Sequence, residues 1–260
     1  MLLAIDVGNT NIVLGVFDGA RLACSWRLAT QRERTGDELG ILVAELFAHG
    51  SLSRDVVDGI IVSSVVPQLT RPVTEMCRRY FHRDALVVDP ATNAGMPVLY
   101  EPATDVGADR VVNGVAAYEL YGRARKSATI VVDFGTATTF DAITAGGEYL
   151  GGVICPGIQI SADALFQRAA RLPRVDVQKP AKVIGRTTVT SMQSGLFFGY
   201  VGMIDGIVER MRGELGDPRA LCVATGGLAE VIAGETKTIE QVNPDLTLLG
   251  LRMIWERNRP

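Results

Sequence analysis

The stretch Ala128-Thr129-Ile130-Val131-Val132-Asp133-Phe134-Gly135-Thr136-Ala137-Thr138-Thr139 sets an apolar run against a polar turn. It has a counterpart near the start of the chain, Leu2-Leu3-Ala4-Ile5-Asp6-Val7-Gly8-Asn9-Thr10. Each run reads as a buried strand, and a second apolar segment follows each, Ile12 to Phe17 and Phe140 to Thr144. Two β-hairpins with polar tips are expected. Each tip joins a carboxylate and a glycine to small hydroxyl or amide residues. Their N–H and O–H groups suit phosphate oxygens, and the glycine lets backbone approach a ligand. A tight turn alone would explain Asp-x-Gly at a strand end, because Gly, Asp and Asn are the usual turn formers. Turn chemistry does not require the repetition of Asp6/Asp133 and Gly8/Gly135 in matching contexts, which favours a phosphate clamp split between two halves of the protein.

The duplicated hairpin resembles the superfamily of actin, hexokinase and the heat-shock chaperone ATPases, whose members hold ATP between two related domains. The resemblance implies an α/β fold of two such domains, each a mixed β-sheet with flanking helices, over residues 1–115 and 116–260. A chain of 260 residues has room for two domains of ordinary size.

With 47% hydrophobic and 21% charged residues the composition is that of an ordinary globular protein. A net charge of −3 argues against a nucleic-acid or membrane-surface partner, which needs a basic face. No apolar run approaches the ~18 residues of a membrane-spanning helix, and the first residues lack the basic and apolar regions of a signal peptide, so the cytoplasm is expected. Cys24, Cys77, Cys155 and Cys222 lie far apart without a Cys-x-x-Cys pair, which suggests buried thiols acting as small hydrophobes. With only His49 and His82 available, a histidine-based triad is not expected.

Further along, residues 21–28 alternate as a third strand. Thr35 with Glu38 forms a capping box for a helix with Leu39, Leu42, Val43, Leu46 and Phe47 on one face and Gly50 as its stop. An apolar run over 59–67, a helix over about 70–80 and a strand at 85–88 complete the first half. The long irregular stretch 89–106 has the length of a functional loop. It ends in Val106-Gly107-Ala108-Asp109-Arg110, where a helical pattern begins. Asp109 there has two readings: an acid favoured by the helix macrodipole, or a carboxylate held at the mouth of a cleft, with Arg110 beside it to grip an acidic substrate in a two-pronged contact. In the second half, helices are expected near 158–172, 189–213 and 246–255, with a strand at 220–224 entering Thr225-Gly226-Gly227, a turn suited to a ribose or purine face.

Taken together, Asp6-Val7-Gly8-Asn9-Thr10, Gly107-Ala108-Asp109-Arg110, Asp133-Phe134-Gly135-Thr136-Ala137-Thr138-Thr139 and Thr225-Gly226-Gly227 resemble the type III pantothenate kinases of bacteria, and the likeness covers essentially the whole chain. It also takes in Trp26-Arg27, Ser63-Ser64-Val65-Val66-Pro67 and Met192-Gln193-Ser194-Gly195. The resemblance implies ATP-dependent phosphorylation of the 4′-hydroxyl of pantothenate, the first step towards coenzyme A. It implies an ATP site over Asp6, Val7, Gly8, Asn9, Thr10, Asn11, Ile12 and Val13 with Thr136, magnesium held through Asp6, directly or through water, and a monovalent cation, potassium or ammonium, on Asp133. Asp109 would be the general base, with Tyr100, Gly107, Ala108, Arg110 and Thr188 shaping the pantothenate pocket. It also implies a homodimer whose pocket is shared across the interface. One departure is Pro102, which stands one place early in Tyr100-Glu101-Pro102-Ala103. Two other readings stand beside this one: another small-molecule kinase, or a regulatory or binding relative of the same fold. No Gly-x-x-x-x-Gly-Lys-Ser/Thr is present, which argues against a Walker-type kinase.

Overall fold

The computed structural model describes residues 1–259. They form two units, Met1–Ala116 together with the C-terminal segment from Leu246, and Ala117–Asp245. The sequence leads one to expect a single cut at 115/116; the division falls at 116/117, with the last helix in the first unit.

In the first unit β1 (Leu2–Val7), β2 (Asn11–Asp18) and β3 (Arg21–Ala29) form an antiparallel meander. Next, β4 (Gly59–Ser64) and β5 (Leu86–Val87) add parallel strands on the other side of β1. The strand order is β3-β2-β1-β4-β5. The second unit repeats it with β6 (Thr129–Phe134), β7 (Ala137–Ile143), β8 (Tyr149–Pro156), β9 (Leu221–Gly226) and β10 (Gln241–Val242), in the order β8-β7-β6-β9-β10 with the same strand senses. The duplication legible in two short turns therefore extends to both sheets.

Strand alternation decides how each sheet is covered. In the first unit Leu3, Ile5, Val7, Ile60 and Val62 share one face. They pack against Leu39, Val43 and Phe47 of α1 (Gly36–His49) and Leu69, Val73 and Met76 of α2 (Pro67–Phe81). Burying each such side chain contributes about 1.5–3 kcal/mol. The capping box is present, with Thr35 and Glu38 closing on each other. The run expected to stay extended to residue 67 stops at Ser64, because Pro67 sits at the first position of α2, where its missing N–H is not needed. The opposite face takes α8 (Leu246–Arg257), whose Leu248, Leu251 and Ile254 are buried. A Cβ on Gly15 would lie 2.8 Å from Leu248 Cδ1, so β2 is glycine where α8 rests on it.

In the second unit Ile130, Val132, Phe140 and Ala224 pack against Leu196, Phe197, Ile204 and Val208 of the long α6 (Thr188–Glu214). Helix α3 (Ala108–Ala117) precedes a π-helical turn (Tyr118–Gly122) and a short α4 (Arg123–Arg125). Helix α5 (Ile158–Arg168) ends four residues short of the expected Leu172. Pro173 follows, and the residue before a proline is pushed out of the helical region. The short α7 (Ala229–Ala233) follows the turn after β9. All four cysteines are free thiols. Cys77 and Cys222 are buried, as expected of all four, whereas Cys24 and Cys155 are only half-buried. Desolvation pushes the Cys77 and Cys222 thiols up to about 12. No helix among the described residues is long and apolar enough to cross a membrane.

Candidate active site

The first turn is built at the β1–β2 junction. Asp6, next to last in β1, is half-buried, and the Gly8 N–H donates to the Asn11 carbonyl at 2.9 Å, closing the turn. A side chain that the sequence reading missed braces it: the Thr30 hydroxyl donates to the Gly8 carbonyl at 2.7 Å, and the Thr30 N–H to the Thr10 carbonyl at 2.9 Å. Asn9 and Thr10 are exposed at the tip, whereas Val7 and Ile12 turn their side chains into the core. Those two can therefore meet a nucleotide only through backbone. Val13 and Asn11 are half-buried beyond the turn.

The Gly107–Arg110 segment reaches the same place through residues 63–66. The Val65 N–H donates to the Val7 carbonyl at 3.1 Å, and the Val65 Cγ1 lies 3.4 Å from where a Cβ on Gly107 would stand. That same Cβ would be 2.6 Å from the Asp109 Oδ1, so the carboxyl folds back over the bare glycine. Asp109 Oδ1 accepts from the Arg110 N–H at 2.8 Å, the bond expected of an acid in a helix's first turn. Its surroundings do more than cap a helix. Desolvation by burial pushes the Asp109 carboxyl above the usual carboxylate range, against the lowering pull of the Arg110 N–H and the Arg110 charge. Ala108 and Arg110 are buried alongside. Tyr100 is half-buried in the irregular segment seven positions ahead of Gly107. After Tyr100 a cis peptide joins Glu101 to Pro102, and a single 3-10 turn follows (Ala103–Asp105).

The second turn differs from the first in length. Four residues (8–11) separate the paired Val7 and Ile12, whereas three (135–137) separate Phe134 and Thr138, and the Gly135 N–H donates to the Ala137 carbonyl at 3.1 Å. Thr136 is exposed at the tip, with Asp133 half-buried behind it. Two glycines from elsewhere close on this turn. A Cβ on Gly157 would collide with the Thr136 carbonyl, and one on Gly226 would stand 2.6 Å from the Asp133 Oδ1. Gly226 also holds φ +92°, which side chains rarely adopt. The Thr225-Gly226-Gly227 turn thus abuts the Asp133 carboxyl.

Asp133 is paired across the ladders with Thr139 and Thr225, so hydroxyl and carboxylate oxygens share this face. Among the described residues no group of three or more His, Cys, Asp or Glu gathers as a metal cage. One carboxylate among hydroxyls suits a weakly bound hard cation rather than a thiophilic metal. Behind this row, Asp141 is fully buried and accepts from Tyr149 Oη at 2.7 Å and from Thr139 Oγ1 at 3.2 Å. The sequence reading did not single Asp141 out, although an acid between Phe140 and Ala142 in a buried strand was a visible signal.

Thr188 is exposed as the first residue of α6. It lines a largely apolar groove of about 500 Å³ with Pro156, Ser161, Leu165, Met192 and Tyr200. Pro156 ends β8 and is paired there with Ala137 of the second turn, so groove and turn share the end of that strand. The first unit therefore brings Asp6 and Asp109 to one strand end, and the second unit gathers Asp133, Thr136 and Thr188 around the end of β8.

Comparison with known proteins gives the family and supports the fold. The family model described as type III pantothenate kinase matches residues 2–210. A type III pantothenate kinase of Myxococcus xanthus is 56% identical over 258 residues, covering 99% of both chains. Among solved structures, a Baf family protein from Campylobacter jejuni superposes with a TM-score of 0.64 at 19% identity, covering 98% of both chains. An inorganic polyphosphate/ATP-glucomannokinase from Arthrobacter superposes with a TM-score of 0.51 at 17% identity over 99% of each. At these identities the two structures speak for the fold alone.

Proposed function

We propose, since the chain belongs to the type III pantothenate kinase family, that it transfers the γ-phosphoryl group of ATP to the 4′-hydroxyl of pantothenate, a step towards coenzyme A. The observation that carries the reading is the Asp109 carboxyl, folded over Gly107 and held above the usual carboxylate range by burial. In this reading Asp109 is the general base. Its raised basicity favours accepting the hydroxyl proton as the new P–O bond forms. Tyr100, Gly107, Ala108, Arg110 and Thr188 hold the acceptor, and the Arg110 guanidinium suits its carboxylate.

The Asp6–Val13 turn and Thr136 take the ATP phosphates. Phosphoryl transfer through a loose transition state asks chiefly for positioning and charge neutralisation, and N–H groups at two glycine turns supply both. Magnesium on Asp6 would neutralise charge on the phosphate oxygens. Asp133, with hydroxyls of Thr139 and Thr225 on its face, has the donor set for potassium or ammonium. A homodimer fits the groove at Thr188 and the exposed Phe166, Val183 and Ile184, the last 83% exposed. The cytoplasm is the compartment assigned to the reaction.

The test is ADP release by the purified protein with ATP, magnesium and pantothenate, in potassium and then in sodium, together with its mass in solution. The expected result is pantothenate- and potassium-dependent turnover by a dimer. ADP release that responds to a different acceptor and not to pantothenate would overturn the substrate. Equal rates in the two salts would remove the cation from Asp133.

A further inference from the structure

Ser63, in β4, is fully buried, and its hydroxyl has no hydrogen-bond partner among the described residues. It is paired in register with Asp6 across the parallel β1–β4 ladder. Residues paired in this way point to the same face, on strands about 4.8 Å apart. Their alternating neighbours Ile5, Val7 and Val62 all enter the core on the other face. The Ser63 hydroxyl therefore sits beside the Asp6 carboxyl, at the strand end from which the Gly8–Asn11 turn projects.

Nothing in the packing calls for a hydroxyl at this position. The residues before it, Ile60, Ile61 and Val62, are apolar, and burying a hydroxyl without a partner costs stability. Its neighbour Ser64 shows the contrast: Ser64 Oγ accepts from the Val66 N–H at 3.3 Å and from Thr70 Oγ1 at 2.9 Å, committed to the start of α2. The second unit repeats the feature, because Asp133 is paired on the parallel β6–β9 ladder with Thr225, itself buried. A buried hydroxyl one strand away from the motif aspartate thus belongs to both clamps.

We propose that Ser63 is a positioning residue of the first clamp: its hydroxyl hydrogen-bonds an oxygen of the Mg·ATP complex gathered on Asp6, either a metal-bound water or a phosphate oxygen. Magnesium keeps several waters when one or two carboxylates hold it, so its site needs polar partners beyond the carboxylate. The assignment rests on the ATP role proposed above for Asp6.

The test is thermal melting of the full chain as wild type, Ser63→Ala and Ser63→Thr, each alone, with ATP and EDTA, and with ATP and Mg²⁺, alongside ATP titrations. Without ligand, Ser63→Ala melts no lower than wild type, because the lost hydroxyl had no protein partner. With Mg·ATP its rise in Tm shrinks and its ATP dissociation constant increases about 3- to 10-fold, the worth of one hydrogen bond. Ser63→Thr, which keeps the hydroxyl, responds as wild type does. A loss confined to the Mg²⁺ arm assigns the bond to a metal-bound water, and a loss in both arms to a phosphate oxygen. The proposal falls if Ser63→Ala melts lower without ligand, or if it responds to Mg·ATP as wild type does. A wild type that ATP stabilises in neither arm overturns the ATP site on Asp6 itself, and Ser63's role with it.

Discussion

Gly226, at the end of β9, lies so close to Asp133, at the end of β6, that a Cβ on the glycine would stand 2.6 Å from the Asp133 Oδ1. The same glycine holds φ +92°. Two constraints on one residue, steric and conformational, make the position of the Asp133 carboxyl depend on a segment almost a hundred residues away in sequence. Gly226→Ala is expected to cost about 1–3 kcal/mol in backbone strain and to weaken potassium activation by displacing Asp133. Denaturant unfolding and a potassium titration of the rate check both parts, and an unchanged potassium response would separate Asp133 from the cation.

Asp109→Asn is expected to lower turnover by at least ~10²-fold, as loss of a positioned base does, while ATP affinity stays near that of wild type. Steady-state rates with a separate ATP titration measure the two. Near-normal turnover would take the base role away from Asp109.

The raised Asp109 pKa also has a signed pH consequence. Burial favours the protonated carboxyl in the folded state, so between the unfolded and the folded pKa the native protein binds more protons than the unfolded chain. Stability from this group is then present below the unfolded pKa and falls as pH rises through the folded one. As the proposed general base, Asp109 acts only when ionised, so kcat/KM is expected to rise with pH through that same raised pKa. In Asp109→Asn the fall in stability over that window should be absent, leaving a variant no less stable than wild type at neutral pH. Melting temperatures taken across the acid range test this.

Gly107→Ala places a methyl group 2.6 Å from the Asp109 Oδ1, and the carboxyl must move. A displacement of about 1 Å at a reacting group can cost ~10²-fold in rate, so a loss between about 10- and 100-fold in kcat is expected with the fold retained. Circular dichroism with steady-state kinetics distinguishes displacement from unfolding.

Tyr149→Phe removes the hydroxyl that donates to the buried Asp141 at 2.7 Å. Leaving a buried acceptor short of its donor costs about 1–3 kcal/mol, and the expected loss of unfolding free energy lies in that range. Thr139→Val, which removes the longer 3.2 Å bond, should cost less. Urea midpoints of the two variants rank them.

Much of this was legible in the chain itself. The two Asp-x-Gly turns, the Gly-Ala-Asp-Arg segment and the Thr35 capping box are local: strand alternation, turn chemistry and helix caps depend on neighbours within a few residues, and that is why Asp6, Asp109 and Asp133 stood out as candidates without coordinates. The residues that hold them in place were not legible. Thr30 bracing Gly8, Val65 joining Val7 to Gly107, Gly157 and Gly226 closing on the second turn, and Ser63 beside Asp6 all act across a sheet, through the register of strands far apart in sequence. The return of α8 to the first unit is of the same kind, since the bare Gly15 of β2 that accommodates Leu248 lies more than two hundred residues before it. Local chemistry picked out the candidate groups; only the pairing of distant strands decided which backbone and which hydroxyl stand next to each.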